Sequence, residues 1–282
     1  MRFHRFDSPG KVSLADISEE PPAKVSKDEA KDRFQSLNEE LFELQDLMWG
    51  ARTHCVLMIL QGRDAAGKDG SVKHVVGALN PRGVTVTSFG VPTPLERGHD
   101  FLWRVHLRAP GAGEIGIFNR SHYEDVLVVR VKGLAPKAVW EERYGLINSF
   151  ERTLASANCI VLKYFLHITR EEQEKRLLAR EEDLADAWKL NVEDWRDRER
   201  WKDYTEAYQD AIGRCASKDA PWIVVPANAR WYRNLVIAES LGDALRPYRK
   251  AWRKTLDAEG RLLRRDVRQW REAHRGGRKK KG

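Results

Sequence analysis

The sequence has few cysteines and no long apolar stretch. Its three cysteines, Cys55, Cys159 and Cys215, are isolated, so neither a zinc site with CxxC spacing nor a disulfide framework is indicated. This pattern is typical of a chain in a reducing cytoplasm. No run approaches the roughly 18 apolar residues of a membrane helix, and the N-terminal residues lack the apolar core of a secretory signal. We therefore expect a cytoplasmic protein with no membrane partner.

Charge is distributed unevenly along the chain. The 282 residues include 50 Lys and Arg and 42 Asp and Glu, for a net charge of +8. Residues 246–282 alone carry +11, so residues 1–245 carry −3. The net charge therefore predicts no polyanion partner for residues 1–245, and such a partner has to be inferred from local clusters of basic residues. The tail, where Trp252 and Trp270 alternate with arginines, is either a solvated, partly helical extension or a binding site for nucleic acid or another polyanion.

Short apolar runs alternate with helical stretches along the chain. The predicted strands are residues 55–60, 84–88, 114–118, 158–166 and 222–225. The predicted helices between and after them are residues 70–79, 95–106, 137–157, 170–180, 192–212 and 230–245. Apolar runs without polar alternation suit parallel strands covered on both faces. The pattern predicts an α/β protein with about five parallel strands. Residues 126–131 fit either a strand or a buried helix.

The chain divides into an arm, a body and a tail. Residues 1–25 are polar and predict an extended arm. Ser26 and Glu29 form a capping-box pattern, and an apolar stripe then predicts a helix ending near Gly50. We expect one domain over 26–246 and a basic extension over 247–282. Within the domain, the charged segment at about 169–213 is either a mobile lid or an ordinary helical hairpin.

A phosphate-binding loop is predicted directly after the first strand. The sequence GRDAAGKDG, which comprises Gly62, Arg63, Asp64, Ala65, Ala66, Gly67, Lys68, Asp69 and Gly70, contains the GxxxxGK pattern (Walker A). Glycines let successive backbone N–H groups point at one anion, and the following helix N-terminus adds partial positive charge. Lys68 would reach the outer phosphates. The alternative is a glycine-rich connector without a ligand.

The residue after the lysine departs from the usual loop. Asp69 stands where Ser or Thr usually holds Mg²⁺. A second carboxylate, Asp64, lies inside the loop, and carboxylates facing a phosphate repel it unless a divalent cation stands between them. Because Mg²⁺ prefers carboxylate and phosphate oxygens, we expect Asp64 to support the metal. Asp69 either caps the helix or contacts the metal directly.

A second polar cluster follows the third predicted strand. It comprises Asn119, Arg120, Ser121, His122, Tyr123, Glu124 and Asp125. Asn119 is neutral, so Glu124 and Asp125 are the expected acidic partners of the metal. Arg120 is suited to a transferring phosphoryl group, or else it is a surface ion-pair partner. We expect His122 to be structural, because phosphoryl transfer mainly requires positioning and charge stabilisation.

Taken together, five segments make the sequence similar to a known family. They are GRDAAGKDG, SFGVPT, FLWRVH, FNRSHYEDVLVVRV and WYRN, in this order. The chain resembles the polyphosphate kinase 2 family over about residues 33–245. The resemblance implies a three-layer P-loop kinase fold with a helical lid. It also implies transfer of phosphoryl groups between inorganic polyphosphate and nucleotides, with Mg²⁺ (Mn²⁺ as an alternative) as cofactor. The HYED form of the second cluster resembles the subgroup that phosphorylates AMP and ADP.

The resemblance also implies roles for individual residues. Asp64, Lys68, Arg120 and Asp125 would be catalytic, and Asp64, Glu124 and Asp125 would hold the metal. The nucleotide side would comprise Phe89, Gly90, Arg104, Asn119, Ser121 and Tyr123. Some relatives have Asp where this chain has Asn119. We expect adenine nucleotides, with guanine nucleotides as an option, no nucleic-acid partner, and a homodimer or homotetramer.

Polyphosphate would thread through a local basic channel. In addition to the residues of the loop, we expect phosphate contacts from Arg130, Lys132, Arg176, Arg180 and Lys189. Asp186 and Ala187 precede the lid's Trp188-Lys189 pair, where relatives carry basic residues. Arg176 and Arg180 share a helix face, and they either supply the missing contact or form a solvated charged face. A rival activity is that of an ATP-dependent nucleoside monophosphate kinase.

Overall fold

The computed structural model describes residues 3–184 and 187–274. The strands are β1 His4–Phe6, β2 Cys55–Gly62, β3 Val84–Ser88, β4 Ile115–Asn119, β5 Cys159–His167 and β6 Trp222–Pro226. The helices are α1 Lys27–Ala51, α2 Lys68–Val75, α3 Pro94–Arg97, α4 Trp103–His106, α5 Val128–Val131, α6 Lys137–Ser156, α7 Arg170–Glu182, α8 Val192–Glu199, α9 Trp201–Cys215, α10 Arg230–Leu245 and α11 Arg249–His274. Short 3₁₀ turns include His122–Asp125 and Ala187–Lys189.

The sheet places the phosphate loop at its centre. The strand order is β1-β6-β5-β2-β4-β3, with β1 antiparallel to β6 and the other neighbours parallel. The predicted set of five parallel strands is confirmed, and the short β1 is an addition within the predicted arm. Every residue of β2 is buried, because β5 and β4 flank it. The loop after β2 therefore lies at the carboxyl edge of the sheet.

Helices cover both faces of the sheet. Alternate residues of β2 enter two separate cores: Met58 and Leu60 pack with α1 and α10, while Leu57 and Ile59 pack with α6 and α9. This arrangement confirms the expected three-layer α/β sandwich. None of the helices in residues 3–184 and 187–274 is long and apolar enough to span a bilayer.

Two predicted helices are interrupted. Residues 95–106 form two separate turns, α3 and α4, because Asp100 accepts a hydrogen bond from the Leu102 N–H and starts a new turn. The 192–212 helix breaks at Arg200, whose side chain donates to the Val131 carbonyl at 2.6 Å. The ambiguous 126–131 segment is helical at α5.

The C-terminal helix begins as part of the body. Trp252 is fully buried, and its Nε1 donates to Nδ1 of His54 at 3.1 Å. Arg249 and Arg253 pair with Glu43 on α1. The predicted boundary at residue 247 thus cuts through a packed segment. The later turns are exposed, and residues 275–282, the end of the predicted extension, lie outside the described residues.

We expect Trp252→Ala to destabilise the protein by about 3 kcal/mol or more, because truncating a buried tryptophan removes apolar contacts and leaves a cavity. Trp270→Ala is the matched control, since Trp270 is 63% exposed on the same helix. That control should change the free energy of unfolding by less than about 0.5 kcal/mol. Urea unfolding of both variants provides the measurement. Equal decreases in the free energy of unfolding of the two variants would contradict the packing described for α11.

Candidate active site

The loop between β2 and α2 is sharply turned. Gly67 precedes α2 with φ +104°, a left-handed conformation that glycine adopts at little cost. Ala65 also has a positive φ, +61°. Non-glycine residues with such angles concentrate at functional sites, where the surrounding structure enforces them. The loop thus ends at the N-terminus of α2, where backbone N–H groups and the helix dipole favour an anion.

Lys68 is the first residue of α2 and is held inside the loop. Its Nζ donates to the carbonyl oxygens of Gly62 at 2.7 Å and Arg63 at 3.2 Å. In the described part of the chain no carboxylate forms an ion pair with it. Burial, followed by the charge of Arg120, lowers the pKa of Lys68, although nearby carboxylates oppose the shift. The site therefore contains a buried ammonium group that a bound anion would stabilise.

A cavity of about 770 Å³ opens above the loop, a volume within the usual range for small-molecule sites. Its cationic side chains are Lys68, Arg120, Arg176, Arg180, Lys189, Arg230 and Arg233. Its acidic side chains are Asp64, Asp69, Asp183 and Asp194. The cavity wall is therefore basic although residues 1–245 carry −3 overall. This local excess of cations is what a polyanionic ligand requires.

Most residues of the predicted site line this cavity. They are Asp64, Ala65, Gly67, Lys68, Asp69, Gly70, Phe89, Gly90, Asn119, Arg120, Arg176, Arg180 and Lys189. A smaller neighbouring cavity is lined by Gly62, Arg63 and Glu124, together with Asp64 and Arg120. Neither cavity is lined by Ala66, Arg104, Ser121, Tyr123, Asp125, Arg130 or Lys132.

Arg120 and Asp64 connect the two predicted clusters. A guanidinium nitrogen of Arg120 lies 2.5 Å from Oδ1 of Asp64 and another lies 3.5 Å from Glu124. Burial opposes the charge of Arg120, but the two carboxylates raise its pKa above the ordinary value. The positive φ of Arg120, +61°, follows directly after β4. The backbone therefore turns this arginine toward the phosphate loop.

Asp69 does not cap α2. No side chain in the described part of the chain caps this helix, and Oδ1 of Asp69 instead accepts from the Asn119 amide at 2.6 Å. Both residues line the main cavity, beside Phe89 and Gly90. Arg104 supports this wall from behind, because it donates to the Gly90 carbonyl at 2.9 Å. We therefore regard Arg104 as a residue that positions the wall, with no direct contact to the cavity.

Arg63 faces α9, away from the main cavity. Its guanidinium stacks on the Trp201 ring at 3.6 Å from the centroid and donates to Thr205 Oγ1. Burial lowers the pKa of Arg63 to about 10. Arg63 thus fastens the loop to α9, and a direct phosphate contact from this residue stays a prediction. Ala66 is fully buried and likewise does not reach the cavity.

Two residues of the predicted nucleotide side lie in the core. Ser121 and Tyr123 are fully buried. Tyr123 donates to Glu151, which also accepts from Lys163 at 2.5 Å. The buried His122 lies beside this cluster, 3.4 Å from Glu151, which agrees with its expected structural role. These side chains fix the 3₁₀ turn after β4 and cannot touch a nucleotide in this arrangement.

Asp125 forms an ion pair with Arg143. Its Oδ1 accepts from Arg143 at 2.9 Å. Burial raises the pKa of Asp125 to about 6 despite the opposing charge of Arg143. Asp125 lines neither of the two cavities, and its role at the metal and in the chemistry stays a prediction.

Arg130 and Lys132, which we predicted in the polyphosphate channel, line neither of the two cavities. Arg130 lies 2.6 Å from Asp210 and over the Trp140 ring. Lys132 lies 2.8 Å from Asp197 and 3.1 Å from Glu193. Both cations are therefore paired with acids on α8 and α9, and one of these acids, Asp197, lines the smaller cavity. They connect α5 to the helices of the lid segment.

The lid segment is partly fixed to the body. Ala207, Ala211 and Ile212 of α9 belong to the core, so α7, the Ala187–Lys189 turn and α8 are what cover the loop. Arg180 on α7 pairs with Asp194 on α8 at 3.3 Å. Burial and the nearby Asp64 raise the pKa of Asp194 to about 6. Asp186, part of the predicted departure from relatives, lies outside the described residues.

Arg176 clamps the phosphate loop from behind. Its guanidinium donates to the carbonyl oxygens of Ala65 and Ala66, both at 3.0 Å, and to those of Ala227 and Asn228. It also pairs with Glu172. Although Arg176 lines the cavity, its donors are occupied by the protein. Arg176 therefore holds the phosphate loop in shape, and it has no N–H donor left for a phosphate in this arrangement.

Sequence reasoning missed part of the cavity wall. Arg230, Arg233 and Asn234 line it from the first turns of α10, and Asp194 lines it from α8. The WYRN segment contains two of these residues, but no pattern in the sequence assigned them a role. The available signal was a pair of arginines three residues apart at the start of a predicted helix.

The fold and the site together define a class of protein. A phosphate loop after a central parallel strand, with a lysine at the helix N-terminus and a helical cover, defines a P-loop kinase-like phosphotransferase. The polyphosphate kinase 2 family model matches residues 24–253. The chain belongs to the polyphosphate kinase 2 family.

Individual relatives are similar over most of the chain. An AMP/ADP-polyphosphate phosphotransferase of Meiothermus ruber is 44% identical over 247 residues, which cover 87% of this chain and 92% of that protein. An ADP-polyphosphate phosphotransferase of Rhodopseudomonas palustris is 35% identical, covering 86% and 88%. The crystal structure of polyphosphate kinase 2 from Arthrobacter aurescens matches with a TM-score of 0.81 and 40% identity, covering 87% and 90%.

Proposed function

We propose that this protein transfers phosphoryl groups between inorganic polyphosphate and the adenine nucleotides AMP and ADP. The observation that carries the proposal is the basic cavity above the phosphate loop, in which the buried Lys68 has no carboxylate partner among the described residues. The names of the similar proteins support both substrates. Guanine nucleotides and a homodimer or homotetramer remain predictions from the sequence.

The donor set fits a magnesium ion shared with substrate. Asp64, Asp69 and Asp194 line one cavity, while residues 3–184 and 187–274 contain no group of three or more His, Cys, Asp or Glu side chains placed to form a metal cage. Mg²⁺ is usually held by one or two carboxylates together with substrate phosphates. Asp64 and Asp69 would hold it. When bound, the ion would neutralise the repulsion between two phosphate groups.

The protein's own side chains position the charges for the transfer. Lys68 and the N-terminus of α2 would bind the phosphates at the meeting point of donor and acceptor. Arg120, oriented by Asp64 and Glu124, would stabilise charge on the transferring group. An acceptor phosphate oxygen is already ionised near neutral pH, so no strong base is required. The α7–α8 cover would exclude water and so limit hydrolysis.

A single assay separates this activity from that of an ATP-dependent nucleoside monophosphate kinase. We expect ATP to form from ADP, polyphosphate and Mg²⁺ with no ATP added, and ADP to form from AMP under the same conditions. Product is measured by chromatography, with a reaction lacking polyphosphate as the control. Product that depends on added ATP and not on polyphosphate would contradict the proposal.

The tail can be tested separately from the body. The alternative of a polyanion-binding module depends on the basic segment, but Trp252 is packed against the body. Truncation after Glu259 removes exposed turns while it keeps this contact. We expect the truncated protein to retain phosphotransfer. Loss of catalysis by a folded truncated protein would instead place the tail in the active site.

A further inference from the structure

An arginine with no acidic partner lies beneath the phosphate loop. Arg233, in the first turns of α10, is only 2% exposed, yet it lines the main cavity. Its Nε and Nη2 donate to Oδ1 of the neighbouring Asn234 at 3.0 and 2.7 Å. No carboxylate in the described ranges pairs with Arg233. Its orientation is thus set by a neutral amide, which leaves the positive charge uncompensated.

Two glycines of the loop make room for this guanidinium. A Cβ on Gly67 would lie 1.9 Å from Nη1 of Arg233, and a Cβ on Gly70 would lie 3.0 Å from Nη2. A side chain at Gly67 would force the guanidinium to move, and one at Gly70 would be tightly packed against it. The guanidinium therefore packs directly against the turn that leads into α2 and Lys68. The loop sequence and Arg233 form one structural unit.

Two other arginines lie near Arg233. Burial, followed by the charges of Arg176 and Arg230, lowers the pKa of Arg233 to about 10. Arg176 is saturated by carbonyl oxygens and Glu172, whereas Nη1 of Arg233 has no acceptor in the described structure. Ala229 precedes α10 and offers no side-chain cap, so the N-terminus of the helix adds positive potential. An anion in the cavity would relieve this concentration of charge.

We propose that Arg233 and Arg230 form a second phosphate subsite, which binds a phosphate of the polyphosphate chain beside the Gly67–Gly70 turn. The identity of this anion rests on the proposed function. A linear chain of like charges needs cations at successive phosphates, and arginine binds phosphate oxygens through two parallel donors. Phe89 and Gly90 line another part of the cavity, together with Asn119, and we assign that part to the nucleotide.

The test compares Arg233→Met and Arg233→Lys with wild type. We expect Arg233→Met to raise the KM for long-chain polyphosphate about tenfold or more, the size expected for one charge-assisted hydrogen bond. The KM for ADP should change less than threefold. Arg233→Lys, which keeps the charge, should lie between wild type and Arg233→Met. An unchanged KM for polyphosphate, or an effect confined to the KM for ADP, would overturn the subsite.

Thermal unfolding separates binding from a structural role. Without ligand, we expect the Tm of Arg233→Met to be at or above that of wild type, because an uncompensated buried charge has been removed. Added polyphosphate should raise the Tm of wild type more than that of the variant. The control Arg246→Met removes an arginine paired with Glu40, and it should lower the Tm without changing the KM for polyphosphate. A lower Tm of Arg233→Met with normal polyphosphate stabilisation would make Arg233 merely structural.

The outcomes also separate this inference from the proposed function. If wild type forms no product from polyphosphate and ADP, the proposed function fails, whatever Arg233 does. If wild type is active and a folded Arg233 variant binds polyphosphate normally, only the subsite fails. If Arg233→Met does not fold, the KM and thermal-shift measurements are made on Arg233→Lys. Wild-type values for Arg233→Lys would overturn the requirement for the guanidinium.

Discussion

Lys68→Ala is expected to lower the rate of phosphoryl transfer by at least ~100-fold, the scale observed when one preorganised charge stabiliser is removed. The ammonium group lies at the N-terminus of α2 and, among residues 3–184 and 187–274, donates only to loop carbonyls. Its charge is therefore available to a phosphate. Burial lowers the pKa of Lys68, which means that the charged ammonium group destabilises the folded protein. The variant should remain folded, with a Tm no lower than that of wild type.

Lys73→Ala is the matched control for this experiment. Lys73 lies on the same short helix but is exposed and lines neither cavity. Its removal changes the net charge equally and should leave the rate within about twofold. Steady-state kinetics with polyphosphate and ADP compare the two variants. A folded Lys68→Ala enzyme with near wild-type turnover would refute the role of the lysine.

Asp64→Asn is the second change with a large expected effect. It removes the carboxylate that lies 2.5 Å from Arg120 and that we assign to the metal. We expect the Mg²⁺ concentration for half-maximal activity to rise at least ~10-fold, since even outer partners of a metal contribute on this scale. Arg120 keeps Glu124 as a partner, so the fold should persist. Activity should therefore fall more than stability does.

Asp203→Asn provides a charge-matched control on the exposed surface of α9. It should leave both the Mg²⁺ titration and the unfolding curve unchanged. The titration is read from initial rates at saturating polyphosphate and ADP. A normal Mg²⁺ dependence in Asp64→Asn would remove the metal assignment and leave the carboxylate only as the partner of Arg120.

Periodicity was sufficient to predict the large elements. The predicted helix 230–245 coincides with α10, and the Ser26 signal precedes α1, where the Ser26 hydroxyl accepts from the Glu29 N–H. The buried parallel strands were equally predictable because they are uniformly apolar. By contrast, β1 has only three residues, which is too short for any period. Its place in the sheet depends on pairing with β6, more than two hundred residues away.

The loop was predictable because its function depends on local backbone conformation. Glycine spacing, the preceding strand and the following lysine are all adjacent in sequence, and the structure brings Asp64, Lys68 and Asp69 to one cavity. Charged residues far from the loop were harder to assign. Arg130 pairs with Asp210, and nothing in the sequence reveals which acid will neutralise which arginine.

Burial explains the remaining differences at the site. Ser121 and Tyr123 follow β4 within the motif, but their side chains turn inward toward Gln61 and Glu151. Arg233 shows the opposite case, since a buried arginine without a carboxylate partner is unexpected from composition alone. Its proximity to the phosphate loop is visible only in the structure, which places the guanidinium against Gly67.

We propose that polyphosphate and nucleotide meet at the Gly62–Lys68 loop. A crystal structure with both polyphosphate and a nucleotide bound tests it most directly. We expect the terminal phosphates of the two ligands to lie at Lys68, with a further phosphate of the polyphosphate chain beside Arg233. Density for both ligands elsewhere, with the loop empty, would contradict it.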